Sequence, residues 1–268
     1  MQKYLLTILF LLGFSVSSHA FENEQCGYWP QWEDFKKTFV NKDGRVIDLG
    51  SKENITTSEG QSYGLFFALV ANDKQAFDKM LDWTERYLSE GDLSARLPAW
   101  LWGKKSDGTY GILDSNPASD SDLWIAYALT EASRLWDDRR YAVLASVMNL
   151  RIIREETVDI PNLGLTLLPG PYGFELANQT WKLNPSYLPL QIFKRFVSVY
   201  PNSPWQDLYN SSYRILLESS PKGFSPDWVL YNPNKGFHFD KETTDLGSYN
   251  AIRTYLWIYA FGLKFIFR

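Results

Sequence analysis

Apolar residues recur three or four positions apart through most of this chain, a spacing that predicts amphipathic α-helices. One such stripe consists of Phe77, Met80, Leu81 and Leu88. The pattern predicts eight helices, at about 28–40, 62–72, 74–89, 121–136, 139–156, 185–200, 204–218 and from 248 onward. No alternation typical of strands competes with it, so the predicted fold class is all-α.

The predicted helices are joined by connections of two different lengths. Short connections lie at 72–73, 137–138 and 201–203, whereas long ones rich in Gly, Pro and Trp span 90–119, 158–184 and 220–247. Short connections produce helical hairpins, and loops this long in a compact domain are usually functional. We therefore expect an α/α toroid or barrel whose site is built from loops and helix starts. An ordinary helical bundle or solenoid is the alternative.

Two dipeptides have the form of helix starts. In Asn184-Pro185 and Ser203-Pro204 a residue typical of the N-cap is followed by proline, which suits the first helical position. They predict that helices open near 185 and 204.

The first twenty residues have the layout of a secretory signal peptide. Lys3 precedes an apolar run of about eleven residues and a polar stretch ending Ser-His-Ala, which predicts cleavage after Ala20. The run is shorter than the ~20 residues that a membrane helix needs, although an uncleaved membrane anchor is the alternative. We expect 21–268 to form one exported domain, periplasmic or extracellular in a bacterium, without stable membrane insertion after cleavage.

Composition narrows the function classes. Cys26 is the only cysteine and the chain has two histidines, so we expect neither an internal disulfide nor a metal site. A formal net charge of −4 argues against nucleic acid, whose binding needs a basic surface. Aromatic residues make up 16% of the chain and include eleven Trp. These indicate either exposed rings that stack on sugars or a Trp-rich core.

The segment Ile55–Gly64, ITTSEGQSYG, combines a helix start with candidate chemistry. Ser58 and Gln61 have the spacing of a capping box, and Glu59 would then only complement the helix dipole. Alternatively, Glu59 is a carboxyl group held among aromatic residues with little water, which raises its pKa and suits a general acid.

The segment Asn116–Leu129, NPASDSDLWIAYAL, places Asp120 and Asp122 at another helix start, after a loop that contains LPAWLWG. Either Asp could be only a cap, since one side-chain oxygen suffices there. Two carboxylates beside a Trp-rich loop also fit a carbohydrate cleft. Cleavage of a glycosidic bond needs one acid and a second carboxylate that attacks the sugar or activates water.

Seven blocks of the chain, in order, resemble glycoside hydrolase family 8, most closely the branch encoded with bacterial cellulose synthase. They are ITTSEGQSYGLFFALVAND, GDL..RLPAWLWG, NPASDSDLWIAYALTEASRLW, LPG..GF, W.LNPSYLPLQ, GFSPDW and GSYNAIRTYLW. The resemblance implies an (α/α)6 barrel with a cleft across one end. It also implies inverting endo-hydrolysis of β-1,4-glucan (cellulose) without metal or organic cofactor, with the cellulose synthase export machinery as a possible partner.

The resemblance also implies roles for individual residues. Glu59 matches the proton donor. Asp120 matches a residue described either as nucleophile or as the holder of a distorted central sugar, and the second role suits an inverting enzyme, in which water attacks directly. Residues that match the cleft lining or are candidate sugar platforms are Tyr187, Tyr249, Arg253, Trp100, Trp102 and Trp228. Core packing is the alternative for the three Trp.

Two departures from the family pattern stand out. The branch has an Asp general base where this chain has Asn250, and an amide cannot take a proton from water at neutral pH. Losing a positioned base should lower the rate by roughly 10²- to 10⁴-fold. Carboxylates that could replace it are Asp240, Glu242 and Asp245. The expected function is therefore endoglucanase, with a catalytically weakened glucan-binding or assembly remnant as the alternative.

The second departure is length. The pattern gives about eight helices where the family barrel has twelve, and the chain ends in the apolar YAFGLKFIFR. This favours a barrel incomplete at its C-terminus, with apolar helix faces exposed. A naturally shortened barrel, or a degraded reading frame that does not fold stably, are alternatives.

Overall fold

The computed structural model describes residues 28–262, so the predicted signal peptide, its cleavage site and Cys26 lie outside the described residues. Within this range the chain forms eight α-helices, as predicted. They are α1 (Pro30–Phe39), α2 (Ser58–Val70), α3 (Lys74–Tyr87), α4 (Ser119–Trp136), α5 (Arg139–Glu155), α6 (Leu190–Val199), α7 (Trp205–Glu218) and α8 (Tyr249–Phe261).

Successive helices pack as hairpins. Helix α2 packs on α3, α4 on α5, and α6 on α7. One member of each hairpin also contacts the next, so that α2 contacts α4, α4 contacts α6 and α6 contacts α8. Because alternate helices run in the same direction, the starts of α2, α4, α6 and α8 gather at one end of the molecule. The candidate residues Glu59, Asp120 and Arg253 belong to these helices.

The long connections are structured, which corrects the prediction that strands are absent. They form three antiparallel sheets. The first contains β1 (Thr56–Thr57), β2 (Ala99–Lys104) and β3 (Tyr110–Pro117); the second β4 (Thr157–Ile160) and β5 (Gly164–Leu167); the third β6 (Glu175–Leu176), β7 (Thr180–Leu183), β8 (Val229–Asn232) and β9 (Gly236–His238). Most of these strands are too short to show the alternation that reveals a strand in sequence.

The start of α2 differs from its sequence prediction. The Thr57 hydroxyl caps the helix by accepting a hydrogen bond from the Gly60 amide at 3.1 Å. Ser58 is already helical, and the Gln61 amide group instead bonds to the backbone of Val46 and to neighbouring groups. The alternative of a capping box at Ser58 and Gln61 is therefore excluded, because the N-cap is Thr57 and the third helical residue, Gly60, has no side chain to complete a box.

The two proline signals also behave differently from expectation. Asn184 does cap, but it opens a single 3₁₀ turn at Pro185–Tyr187. A proline at 189 disfavours helical geometry in the residue before it, so α6 begins at Leu190. The Ser203 hydroxyl donates back to the Tyr200 carbonyl and does not cap α7.

Helix α4 lies at the centre of the core. Every residue from Ser119 to Ala132 is buried except Tyr127, as expected for a helix that is enclosed by other elements. Six of the eleven Trp are buried and the remaining five are partly buried. A Trp-rich core, the alternative raised by composition, therefore accounts for most of the tryptophan content.

Helix α8 is apolar on both faces. Its inner face buries Ala251 and Ile258, while Ile252, Leu256 and Tyr259 are 63%, 53% and 85% exposed. These three residues are spaced four and three positions apart, so they lie on one exposed face of α8. Among residues 28–262, no helix has both the length and the apolar character to cross a membrane.

Candidate active site

Four segments meet where the helix starts gather. Glu59 lies in the first turn of α2, Asp120 in the first turn of α4, Ser186 in the 3₁₀ turn before α6, and Arg253 in α8. The structure thus brings together three residues that sequence reasoning placed in one site, from positions almost 200 residues apart in the chain.

Arg253 connects these segments through both terminal nitrogens. Nη1 donates to Asp120 Oδ2 at 2.7 Å and to the Tyr63 hydroxyl at 3.3 Å. Nη2 donates to Asn250 Oδ1 at 2.8 Å and to Ser186 Oγ at 3.1 Å. The guanidinium is planar and always charged, so its two nitrogens fix the positions of several acceptors at once. Arg253 therefore holds α2, α4, the 3₁₀ turn and α8 together.

A buried pair of hydroxyls fixes the spacing of the two candidate carboxyl groups. Ser58 and Ser121 lie next to Glu59 and Asp120 in sequence, and their Oγ atoms are 2.7 Å apart. Because Ser121 donates its hydroxyl hydrogen to the Ala118 carbonyl, Ser58 is the donor in the pair. The first turns of α2 and α4 are thus joined directly.

Glu59 has the environment of a carboxylic acid that stays protonated near neutral pH. Its Oε2 is shielded from solvent and has no hydrogen-bond partner among the described residues. Burial, reinforced by the negative charge of Asp120, raises the pKa of Glu59 from 4.5 to about 7. Such a group can donate a proton at pH 7, which is what a general acid requires.

Asp120 is 2% exposed and forms an ion pair with Arg253. Its Oδ1 also accepts from the Ser121 amide at 2.8 Å. Burial raises the pKa of Asp120, while the Arg253 charge and these hydrogen bonds act in the opposite direction and favour the carboxylate. Neither Asp120 nor Asp122 is a cap, since Ala118 occupies the N-cap position of α4.

Asn250 occupies the position of the expected base, and its carbonyl oxygen is engaged. Arg253 Nη2 lies 2.8 Å from Asn250 Oδ1. The amide nitrogen that remains can donate hydrogen bonds but cannot accept a proton. Asn250 can therefore orient a water molecule and cannot deprotonate it.

The carboxylates near Asn250 are committed to other contacts or exposed. Asp227 accepts hydrogen bonds from the Ser248 and Ala251 amides at 2.8 Å, and these bonds outweigh burial and lower its pKa. It thereby caps α8 from outside the helix. Asp240 accepts from the Glu242 and Thr243 amides in its own turn, which lowers its pKa. Both carboxylates are therefore engaged in other contacts and are not free to replace the missing base.

The aromatic side of the site is formed by Tyr187 and Trp228. The Tyr187 ring centre lies 5.3 Å from the Arg253 guanidinium carbon and 6.2 Å from the Trp228 ring. Trp228 stacks on Phe174 at 6.0 Å with nearly parallel rings. Burial, with the charge of Asp120, raises the pKa of Tyr187, which therefore stays protonated.

Of the two alternatives for Trp102, sugar platform or core packing, the structure favours core packing. Trp102 is 8% exposed and packs against Trp83 and Tyr110, with ring centres 5.3 and 5.4 Å away. The Arg45 guanidinium lies 4.4 Å from its ring centre. These neighbours occupy the faces that a sugar would use, so core packing is its role.

Trp100 and Tyr249 stay predictions. Trp100 is partly buried in β2, and Tyr249 is 89% exposed at the start of α8. Neither makes a described hydrogen bond with Arg253.

Sequence reasoning missed the supporting contacts. Ser186, Asp227 and the Ser58–Ser121 pair lie in quoted blocks, but nothing in their spacing reveals a partner in another element. Among residues 28–262, no group of three or more His, Cys, Asp or Glu side chains is arranged to hold a metal ion.

Residues 6–264 match the family model described as glycosyl hydrolases family 8. Among curated proteins, an endoglucanase of Escherichia coli (strain K12) is 50% identical over 257 residues, which are 95% of this chain and 66% of that protein. An endoglucanase of Pseudomonas fluorescens is 45% identical over 85% of this chain and 59% of its own length. The chain thus spans about three fifths to two thirds of these relatives.

Solved structures of endoglucanases are also similar to this chain. The endo-1,4-D-glucanase from Vibrio fischeri superposes with a TM-score of 0.83 at 53% identity, covering 86% of this chain and 66% of that one. An endoglucanase from Klebsiella pneumoniae, described as a family 8 glycosyl hydrolase, gives 0.76 at 31% identity, covering 86% and 73%. The predicted (α/α)6 architecture is confirmed by these similarities.

Proposed function

Because this chain belongs to glycosyl hydrolase family 8, we propose that it hydrolyses β-1,4-glucan as an endoglucanase. The observation that carries the proposal is a single juxtaposition. A carboxyl group with a pKa of about 7, Glu59, lies beside a carboxylate that Arg253 holds at 2.7 Å. Glycoside hydrolysis requires one carboxyl group that donates a proton and a second one that is ionised, and this pair supplies both.

In the proposed reaction Glu59 protonates the glycosidic oxygen as the bond to the anomeric carbon breaks. Water attacks the same carbon from the opposite face, so the configuration inverts. Asp120, ionised beside Arg253, accepts hydrogen bonds from the central sugar and holds it in its distorted form. Asn250 orients the water through its amide nitrogen, and the proton that the water loses passes to solvent.

The first experiment measures reducing ends released from carboxymethylcellulose. We expect Glu59→Gln to abolish release, because the amide has the same shape but no acidic proton. Glu53→Gln, an exposed carboxyl change in the preceding loop, is the matched control and should leave activity unchanged. Equal release by the wild-type chain and Glu59→Gln at high loading would exclude hydrolysis at this site.

A second candidate function is favoured by Asn250. Because an amide takes no proton from water at neutral pH, the site holds no base at residue 250, and the chain could act as a glucan-binding or assembly remnant. In that case cello-oligosaccharide still quenches Trp fluorescence while no reducing ends appear. Absence of quenching would contradict binding altogether.

We further propose export of the chain to the periplasm or medium and a role in bacterial cellulose synthesis. The support is the layout of residues 1–20 and the resemblance of seven sequence blocks to the branch encoded with cellulose synthase. Mass spectrometry of the exported protein should show a chain that begins at Phe21. A host that carries the Glu59→Gln allele should export cellulose of altered chain length, and unchanged cellulose would contradict the role.

A further inference from the structure

Two further carboxyl groups lie behind the site, in positions that the proposed reaction does not use. Asp122 is in the first turn of α4, and Glu156 follows the last residue of α5. Both are 0% exposed. Because α4 and α5 form a hairpin, the start of one helix meets the end of the other, and the two carboxyl groups face each other there.

The two groups have no other partners among the described residues. None of their four oxygens accepts a hydrogen bond from an N–H or hydroxyl of residues 28–262, and the two carboxyl groups lie close enough for a hydrogen bond between them to affect the pKa of each. Two carboxylates have no hydrogen to place between them, so this bond exists only when one group is protonated. An unpaired charge buried in this way is costly, and such a group binds a proton instead.

The charged surroundings of the pair also oppose ionisation. Burial is the largest cause that raises the pKa of both groups well above the usual range. Negative charges act on the pair from Asp120 in α4 and Glu155 in α5, and on Asp122 also from Glu59 in α2 when that group is ionised. The nearby cations are paired elsewhere: Arg253 with Asp120, and Arg151 and Arg154 with Glu155.

We propose that Asp122 and Glu156 hold a proton between them in a hydrogen bond that joins the two carboxyl groups, and that this bond positions Asp120. The bond joins the first turn of α4 to the end of α5. Asp122 lies two residues after Asp120, the carboxylate that pairs with Arg253. The proton sharing is independent of the proposed function, whereas the positioning role rests on it.

Infrared spectroscopy tests the shared proton, because a protonated carboxyl group and a carboxylate absorb at different frequencies. Spectra are recorded at pH 8, above the pKa of about 7 of Glu59. We expect a protonated-carboxyl band in the wild-type chain that disappears in the double variant Asp122→Asn/Glu156→Gln. Asp159→Asn, an exposed change three residues beyond Glu156, is the matched control and should keep the band. A wild-type chain without it, or a double variant that retains it in full, overturns the proposal.

Kinetics test the positioning role by comparing Asp122→Ala with Asp122→Asn. Alanine removes the hydrogen bond to Glu156, so Asp120 is less well positioned. A displacement of Asp120 by about 1 Å should lower kcat about 10- to 100-fold with little change in KM. Asparagine can donate its amide hydrogen to Glu156, so it should restore kcat to near the wild-type value. An Asn variant as slow as the Ala variant, or an Ala variant at full kcat, overturns the positioning role.

Two further controls keep the results separable. If Asp122→Ala does not melt cooperatively by circular dichroism, Glu156→Ala and Glu156→Gln replace it in the same comparison. If the wild-type chain shows no turnover, the proposed function and the positioning role both fail, and the infrared band still decides whether the proton is shared.

Discussion

Replacing Asn250 with Asp should raise the turnover of carboxymethylcellulose by about 100-fold. The substitution exchanges an amide nitrogen for a carboxylate oxygen at nearly constant shape. It therefore changes one property of the site, the ability to take a proton from the attacking water. The backbone at this position is held by the α8 cap from Asp227, so the new oxygen should lie where the amide lies now.

The magnitude follows from the neighbours of residue 250. A positioned general base contributes roughly 10²- to 10⁴-fold. Arg253 Nη2 lies 2.8 Å from the side-chain oxygen, and its charge should lower the pKa of a carboxylate there. A weaker base contributes less, so we expect the lower end of the range, which corresponds to about 2.7 kcal/mol of the activation barrier. The added negative charge should also raise the pKa of Glu59 and extend activity to higher pH.

The assay is release of reducing ends at saturating substrate, with anomer analysis of the first products to show inversion. Asn250→Ala should be no faster than wild type. Adding Glu59→Gln to Asn250→Asp should abolish the gain, because the base acts together with the acid. The reasoning is refuted if Asn250→Asp binds cello-oligosaccharide, as shown by Trp quenching, yet cuts glucan no faster than the wild-type chain.

The remaining predictions concern the acid, the arginine and the core. The kcat/KM value should fall about tenfold per pH unit above pH 7, because only protonated Glu59 donates; a flat profile between pH 6 and 9 would contradict this. The same raised pKa means that the folded chain binds a proton more tightly than the unfolded one, so Glu59 should lower the free energy of unfolding as pH rises from 4.5 to about 7. Arg253→Lys should reduce kcat by on the order of 100-fold, since an ammonium cannot contact Asp120 and Ser186 in a fixed fork. Activity above a tenth of wild type would contradict the role of Arg253 in holding these groups together. Trp102→Ala should lower the free energy of unfolding by about 3–5 kcal/mol in urea titrations, whereas Trp228→Ala, which is only partly buried, should cost less stability and weaken cello-oligosaccharide binding.

The helices were predictable because each is long enough to repeat its apolar spacing. Helix α3, for example, buries Phe77, Met80 and Leu81 as the stripe requires. The break before α6 was also readable in principle, since Pro189 restricts the residue before it. The strands were not, because segments such as Thr56–Thr57 derive their pairing from partners some 45 residues away.

The sequence pointed to the members of the site, Glu59, Asp120 and Arg253, but it did not reveal their burial or their charge interactions. Burial and charge at Glu59 follow from neighbours that α4 and α8 contribute, and no local pattern reports them. Trp102 illustrates a second difficulty. A Trp in a Gly- and Pro-rich loop is typical of a sugar platform, but strand β2 directs this side chain into the core. The Asp122–Glu156 pair was invisible for the same reason, since its second member follows the far end of the next helix.

The long-range contacts of Arg253 link the order of folding to the completion of the site. It reaches Asp120 across 133 residues and Tyr63 across 190, and closures of that length form slowly compared with local helices. During folding the α2–α5 hairpins can therefore form first, with both Glu59 and Asp120 in place, while the Asp120 carboxylate still lacks its counter-ion. The site acquires its charge balance only when α8 packs against it, so the proposed activity should appear only in the last step of folding.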